Sequence, residues 1–135
     1  MPENDQIPQN SPAPEAGPAS DNDLASQGQA YLHAFHAKDL SQCMNYFTED
    51  STVNFVQSVY RGRQEIEEWH KARFAAELRL ARLEKISVEG NTVTLEGVAT
   101  SKRLKAWRIN SITGSVTATF ENGKIKEIKF GWQLL

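Results

Sequence analysis

Tyr31 and His70 are the side chains best suited to acid–base chemistry in this sequence. An imidazole exchanges its charge near neutral pH, and His70 directly follows Trp69, whose ring would supply an apolar wall beside it. The plainer reading of His70 is a half-exposed helix histidine next to Glu67 and Arg73. A phenol such as Tyr31 donates a hydrogen bond to a ligand carbonyl, or sits in the core with its hydroxyl satisfied locally. Arg73, one helical turn beyond Trp69, suits a carboxylate or phosphate, or a surface bridge to Glu77. His33 and His36 share one helix face, but a metal needs a further ligand aimed at the same point. No local Glu-x-x-His pairing supplies it, and no metal site is predicted. Cys43 falls in the apolar stripe Leu40, Cys43, Met44, Phe47, where a buried inert thiol is the usual occupant.

The elements that must position these residues follow from periodicity and capping. Asp21 or Asp23 can cap a helix over about 23–37 that carries Leu24, Tyr31, Leu32 and Phe35 on one face. Asp39 caps a second, shorter helix, and Thr52–Val56 reads as a strand. Tyr60-Arg61-Gly62-Arg63 reads as a connection, followed by a third helix over about 63–76 with Ile66 and Trp69 on its apolar face. Beyond Leu78 the period becomes two. Glu89-Gly90-Asn91 separates strands around Leu80–Val88 and Thr92–Thr100, and Asn122-Gly123 predicts a type I′ hairpin. Lys102, Arg103, Lys105 and Arg108 read as a solvated strand edge. Such an element order is α+β, with helices on one face of a curved sheet.

Composition bounds the rest. The chain has 135 residues, 39% hydrophobic and 24% charged, within the globular range. All five prolines lie in the first 18 residues, a stretch too poor in large aliphatics to build a core. The expected organisation is a disordered, acidic, proline-rich tail over 1–22 and one domain over 23–135. Residues 1–50 hold eight acids against Lys38 alone, whereas residues 101–135 hold seven bases against two acids. The basic excess of the domain is too small to point to nucleic acid. A single cysteine excludes an intramolecular disulfide. No apolar run approaches the ~20 residues of a membrane helix, and the start lacks a secretory signal. A soluble, cytoplasmic protein without membrane or nucleic-acid partners is the expectation.

Several strings in order, Tyr31-Leu32-His33-Ala34-Phe35-His36-Ala37-Lys38-Asp39-Leu40, Tyr46-Phe47-Thr48-Glu49-Asp50-Ser51-Thr52-Val53, Arg61-Gly62-Arg63-Gln64-Glu65-Ile66 and Phe120-Glu121-Asn122-Gly123-Lys124-Ile125, resemble the nuclear transport factor 2-like superfamily. The likeness is to its SnoaL-like and ketosteroid isomerase-like branch, over roughly residues 23–133. The resemblance implies a cone-shaped, cystatin-like roll in which three N-terminal helices pack on a curved, mostly antiparallel sheet around an apolar pocket. It also implies catalytic roles for Tyr31, where the isomerases place the tyrosine that donates to the dienolate oxygen, and for His70, near its supporting tyrosine. The isomerases' general base corresponds to Phe55, beside Asn54, and their protonated aspartate corresponds to Val116. Neither replacement handles a proton, which argues against ketosteroid isomerisation by the family mechanism.

The resulting expectation is a domain that binds a small apolar or aromatic ligand, lined by Phe35, Asn54, Phe55, Trp69, Arg73, Trp107, Val116 and Trp132. If an enzyme, it would be an isomerase, cyclase or lyase acting on a carbonyl compound, polyketide cyclase-like, without metal or organic cofactor. The rival expectation is a protein-interaction module whose open sheet face pairs with a second copy, as the family often forms homodimers. The two differ in whether the cone is open beside Tyr31 and His70 or filled.

Overall fold

The computed structural model describes residues 21–109 and 112–133. The leader expected over 1–22 lies outside them except for its last two residues, which begin the first helix, and Asn110 lies outside them too. Helix α1 (Asp21–His36) begins at Asp21, so Asp23 stands in the first turn rather than at the cap. Its buried face carries Leu24, Tyr31, Leu32 and Phe35, as the spacing predicts. Helix α2 (Leu40–Met44) is capped by Asp39, whose Oδ1 accepts from the Gln42 amide at 3.2 Å. Phe47 falls beyond its end but stays buried.

Strands β1 (Thr52–Phe55) and β2 (Ser58–Arg61) form an antiparallel hairpin. The connection expected at Tyr60-Arg61 is therefore the end of an edge strand. Its side chains are mostly exposed, so the apolar alternation that marks a strand is missing, and pairing to β1 creates it. Helix α3 (Gly62–Ala75) follows at once and buries Ile66, Trp69 and His70. Arg63 Nη1 donates to the carbonyls of Met44 (2.9 Å) and Phe47 (2.7 Å), tying the start of α3 to the end of α2.

The remaining strands are β3 (Arg79–Glu89), β4 (Thr92–Thr100), β5 (Ile112–Glu121) and β6 (Lys124–Gln133). The basic run expected to be a strand edge is instead helix α4 (Lys102–Ala106) between β4 and β5. Ser101 caps it, its Oγ accepting from the Leu104 amide at 3.2 Å. This capping interaction competes with extension of β4 and wins, because the side-chain oxygen satisfies an otherwise unpaired backbone donor. The hairpin at Asn122-Gly123 is as predicted, with φ of 54° and 79° between the paired Glu121 and Lys124.

The described strands form one six-stranded sheet in the order β2-β1-β6-β5-β4-β3, antiparallel except where β1 lies parallel to β6. Strict alternation along β4 and β5 turns Val93, Leu95, Ala99, Ile112, Val116, Ala118 and Phe120 toward α1 and α3. Their other face carries Thr92, Thr94, Thr117 and Thr119, with hydroxyls paired across strands at 3.1 and 3.4 Å. The open sheet face expected to be apolar is thus largely polar.

Curvature comes from irregular pairing: β3 slips register against β4 twice, and β5 against β6 once. Gly97 lies opposite the slipped stretch of β3, and a Cβ there would collide with the backbone carbonyl of Arg82. Gly97→Ala is expected to destabilise the fold by about 1–3 kcal/mol. Gly131→Ala, where an added Cβ meets only Ser115 Oγ at 3.7 Å, is expected to be near neutral. Urea denaturation of the two variants measures the difference.

Candidate functional site

Tyr31 and His70 do meet, at the centre of the core. The Tyr31 hydroxyl lies 2.7 Å from His70 Nε2, and His70 Nδ1 lies 2.8 Å from the Ile66 carbonyl. A carbonyl can only accept, so Nδ1 carries the ring proton, Nε2 accepts, and Tyr31 donates. The donor that a ligand carbonyl would need is therefore engaged within the protein. Exposure is 2% for Tyr31 and 0% for His70. Rings of Phe35, Phe47, Trp69 and Phe74 surround the imidazole with centroids 4.9–5.9 Å away. Burial lowers the His70 pKa to about 4, against the weaker opposing effects of the Ile66 carbonyl and Glu67. Burial, reinforced by Cys43, raises that of Tyr31 well above its usual value. The near-neutral, half-exposed His70 expected from the sequence is replaced by a neutral core residue.

Phe35, Trp69 and Val116 are core residues as well, all at least nine-tenths buried. Among the described residues a void of about 20 Å³ lies between the helices and sheet, bordered by Leu32, Phe35, Leu78, Val116, Phe130 and Trp132. That is room for about one water. Aromatic residues pack the interior: Phe35 and Trp69 lie tilted and Phe55 edge-on against Phe130, at 6.1, 4.9 and 6.1 Å between centroids. Asn54 is turned to the other face of β1, where its amide donates to Glu127 at 2.9 Å. It cannot orient a ligand within the cone.

Four of the expected residues converge elsewhere. Phe55, Arg73, Trp107 and Trp132 line a cleft of about 470 Å³ between the β1–β2 hairpin, the end of α3 and the Ser101–Trp107 segment. Leu78, Ala99 and Trp132 border both the cleft and the smaller void, so the two are adjacent. The Arg73 guanidinium lies over the Phe55 ring, 4.8 Å from its centroid. Burial, with Arg103 nearby, lowers the Arg73 pKa from its ordinary value. Trp107 is 66% exposed and Trp132 37%, with Val56 and Val59 of the hairpin exposed as well. Sequence reading missed Tyr60 and Arg103 as lining residues. A Ser101 cap followed by helix-forming residues was the signal that could have placed Arg103.

The other candidates are packing residues. His36 Nε2 accepts from the Leu80 amide at 3.1 Å, pinning α1 to β3, and burial, Arg79 and His33 lower its pKa to about 4. Cys43 is fully buried and its pKa is pushed up to about 12 by burial and Asp39, so it forms no thiolate at neutral pH. Among the described residues no three His, Cys, Asp or Glu side chains are grouped to hold a metal. No described helix is long and apolar enough to cross a membrane.

Two outcomes follow from this geometry. Because the folded pKa of His70 is below the unfolded 6.5, its contribution to stability is complete above about pH 6.5. That contribution, on the order of 3 kcal/mol, is lost as pH falls toward 4. Imidazole nitrogen shifts measured by NMR are expected to show the Nδ1–H tautomer and a midpoint near 4; a midpoint near 6.5 would contradict the buried pair. Val56, at the hairpin turn, has φ of 59°, strained for a β-branched residue. Val56→Gly is expected to raise stability by up to about 1 kcal/mol in thermal melts.

The family profile described as a SnoaL-like domain matches residues 29–128. No curated protein sequence matches the chain. Solved structures with the same fold include a nuclear transport factor 2-like protein of unknown function from Cytophaga hutchinsonii, 15% identical, covering 82% of this chain and 89% of that one, TM-score 0.66. Another, proposed as a polyketide cyclase, comes from Sinorhizobium meliloti: 18% identical, 84% and 100% covered, TM-score 0.69. A third, from Catenulispora acidiphila, has a ketosteroid isomerase-like fold and was solved with trimethylamine: 16% identical, 80% and 85% covered, TM-score 0.64. With the α+β cone and the profile match in agreement, the chain belongs to the SnoaL-like domain family, in the nuclear transport factor 2-like fold.

Proposed function

We propose that this domain binds a small, largely apolar, planar ligand in the cleft at the mouth of its cone. The observation that carries this reading is the cleft of about 470 Å³ walled by Phe55, Tyr60, Trp107 and Trp132. Its volume falls within the roughly 300–1,000 Å³ of ligand pockets, and apolar walls with a few convergent polar groups are the usual composition. The complex of the Catenulispora relative with trimethylamine supports small-molecule binding by this fold. Binding here does not draw on Tyr31 or His70. Turnover of a carbonyl ligand as an isomerase, cyclase or lyase would need groups of the cleft itself, since those two are bonded to each other inside the core.

A second reading is favoured by one observation. The exposed large apolar residues Val56, Val59, Trp107 and Trp132 belong to the hairpin, the α4 end and the strand end that border the cleft, so this rim also suits a second copy of the chain. In that reading the homodimer forms through the mouth rather than through the threonine-rich sheet face.

Titration with 2-naphthamide, a neutral planar carbonyl compound, tests the first reading. The indole N–H signals of Trp107 and Trp132 are expected to shift while that of buried Trp69 does not, and Trp107→Ala should weaken binding about tenfold, roughly 1.4 kcal/mol. Shifts at Trp69 alone would overturn it, as would the absence of shifts with both 2-naphthamide and its carboxylate counterpart 2-naphthoate. Sedimentation equilibrium tests the second: a dimer that Trp107→Asp converts to monomer supports it, and a monomeric wild type removes it.

A further inference from the structure

Resting on the cleft being a ligand site, we propose that its ligand is an anion, a planar aromatic or conjugated carboxylate whose charged end is held by Arg73 and Arg103. Two guanidinium-bearing side chains line the same cleft, one from α3 and one from α4. Arg73 is half-buried, yet its hydrogen bonds to the protein are incomplete: Nε is shielded from solvent and has no acceptor. Its one described contact of note is the stack on Phe55, which orients the guanidinium plane without neutralising it. The nearest described acid in sequence, Glu77, pairs instead with Lys102 at 3.5 Å. The alternative surface bridge from Arg73 to Glu77 is therefore not made.

A cation held in this way, partly out of water with a second cation lining the same cleft, is an unfavourable arrangement in the free protein. An anion in the cleft brings an opposite charge to both guanidinium groups and relieves their mutual repulsion. Burial lowers the pKa of Arg73, Tyr60 opposes the shift and Arg103 adds to it, in keeping with this arrangement. Guanidinium also matches a carboxylate with two parallel N–H···O bonds, which fixes the orientation of a flat ligand as well as its charge. Phe55, Tyr60, Trp107 and Trp132 then supply aromatic walls to the remainder of the ligand. A positively charged ligand, such as the amine found with the Catenulispora relative, is disfavoured by the same two arginines.

The test compares 2-naphthoate with 2-naphthamide, which share shape and differ in charge, by calorimetry on the full chain. Wild-type protein is expected to bind the naphthoate at least tenfold more tightly, with the preference shrinking as NaCl rises from about 20 to 500 mM. Arg73→Gln should abolish the preference for naphthoate over naphthamide, and Arg103→Gln should reduce it. Arg73→Lys retains charge but not the paired geometry, and should keep only part of it. The salt series on wild type needs no variant to fold. Equal affinity for the two compounds, or a preference untouched by Arg73→Gln and by salt, overturns the anionic ligand and leaves the cleft reading standing. Failure of both compounds to bind at millimolar concentration overturns both readings.

Discussion

The hydrogen bond from Tyr31 to His70 joins the two long helices at the point where both meet the sheet. It is buried on all sides, so each partner depends on the other: an unpaired phenol or imidazole there would carry a desolvation cost of about 1–3 kcal/mol. The Ile66 carbonyl completes the arrangement by selecting the ring tautomer that can accept from Tyr31. Around this polar pair the core is almost wholly aromatic and aliphatic. Phe35, Phe47, Trp69 and Phe74 pack against the imidazole edge and face, which keeps the ring neutral and the helices at a fixed spacing.

That constraint decides where a ligand can go. With the helices held close and Phe55, Trp69 and Phe130 packed edge-on and tilted beneath them, the void among the described residues beside Phe35 and Val116 is about 20 Å³. A larger cleft opens at the mouth, where the β1–β2 hairpin, the end of α3 and the short α4 stand apart. The residues there have a different character: exposed tryptophans, a strained Val56 and two arginines. In this chain the surroundings of Tyr31 and His70 are packed, and the larger cleft lies at the rim.

Much of the architecture was legible before any coordinates. Apolar spacing marked α1 and α3, Asp39 marked α2, and Asn122-Gly123 marked the closing hairpin with its two positive φ angles. Three features were not legible for local physical reasons. Strand β2 exposes most of its side chains and exists through pairing with β1. Helix α4 is five residues long, and its serine cap was masked by the density of charge around it. Helices α1, α3 and α4 are followed by Lys38, Glu77 and Arg108 in the left-handed region, where glycine would have announced a stop.

For the site, residue types alone established which groups could do chemistry, and the spacing placed Trp69, His70 and Arg73 on one helix, near enough to share a neighbourhood. Periodicity measures which face of an element is apolar, and so identified Tyr31 and Trp69 as inward. It does not measure how far apart two packed elements stand. Whether an inward residue meets a ligand or another side chain depends on that distance, set jointly by α1, α3 and the curvature of the sheet. Tertiary packing alone therefore turned Tyr31 and His70 into partners of each other, sent Asn54 to the opposite face, and brought Arg73 and Arg103 from separate helices to one cleft.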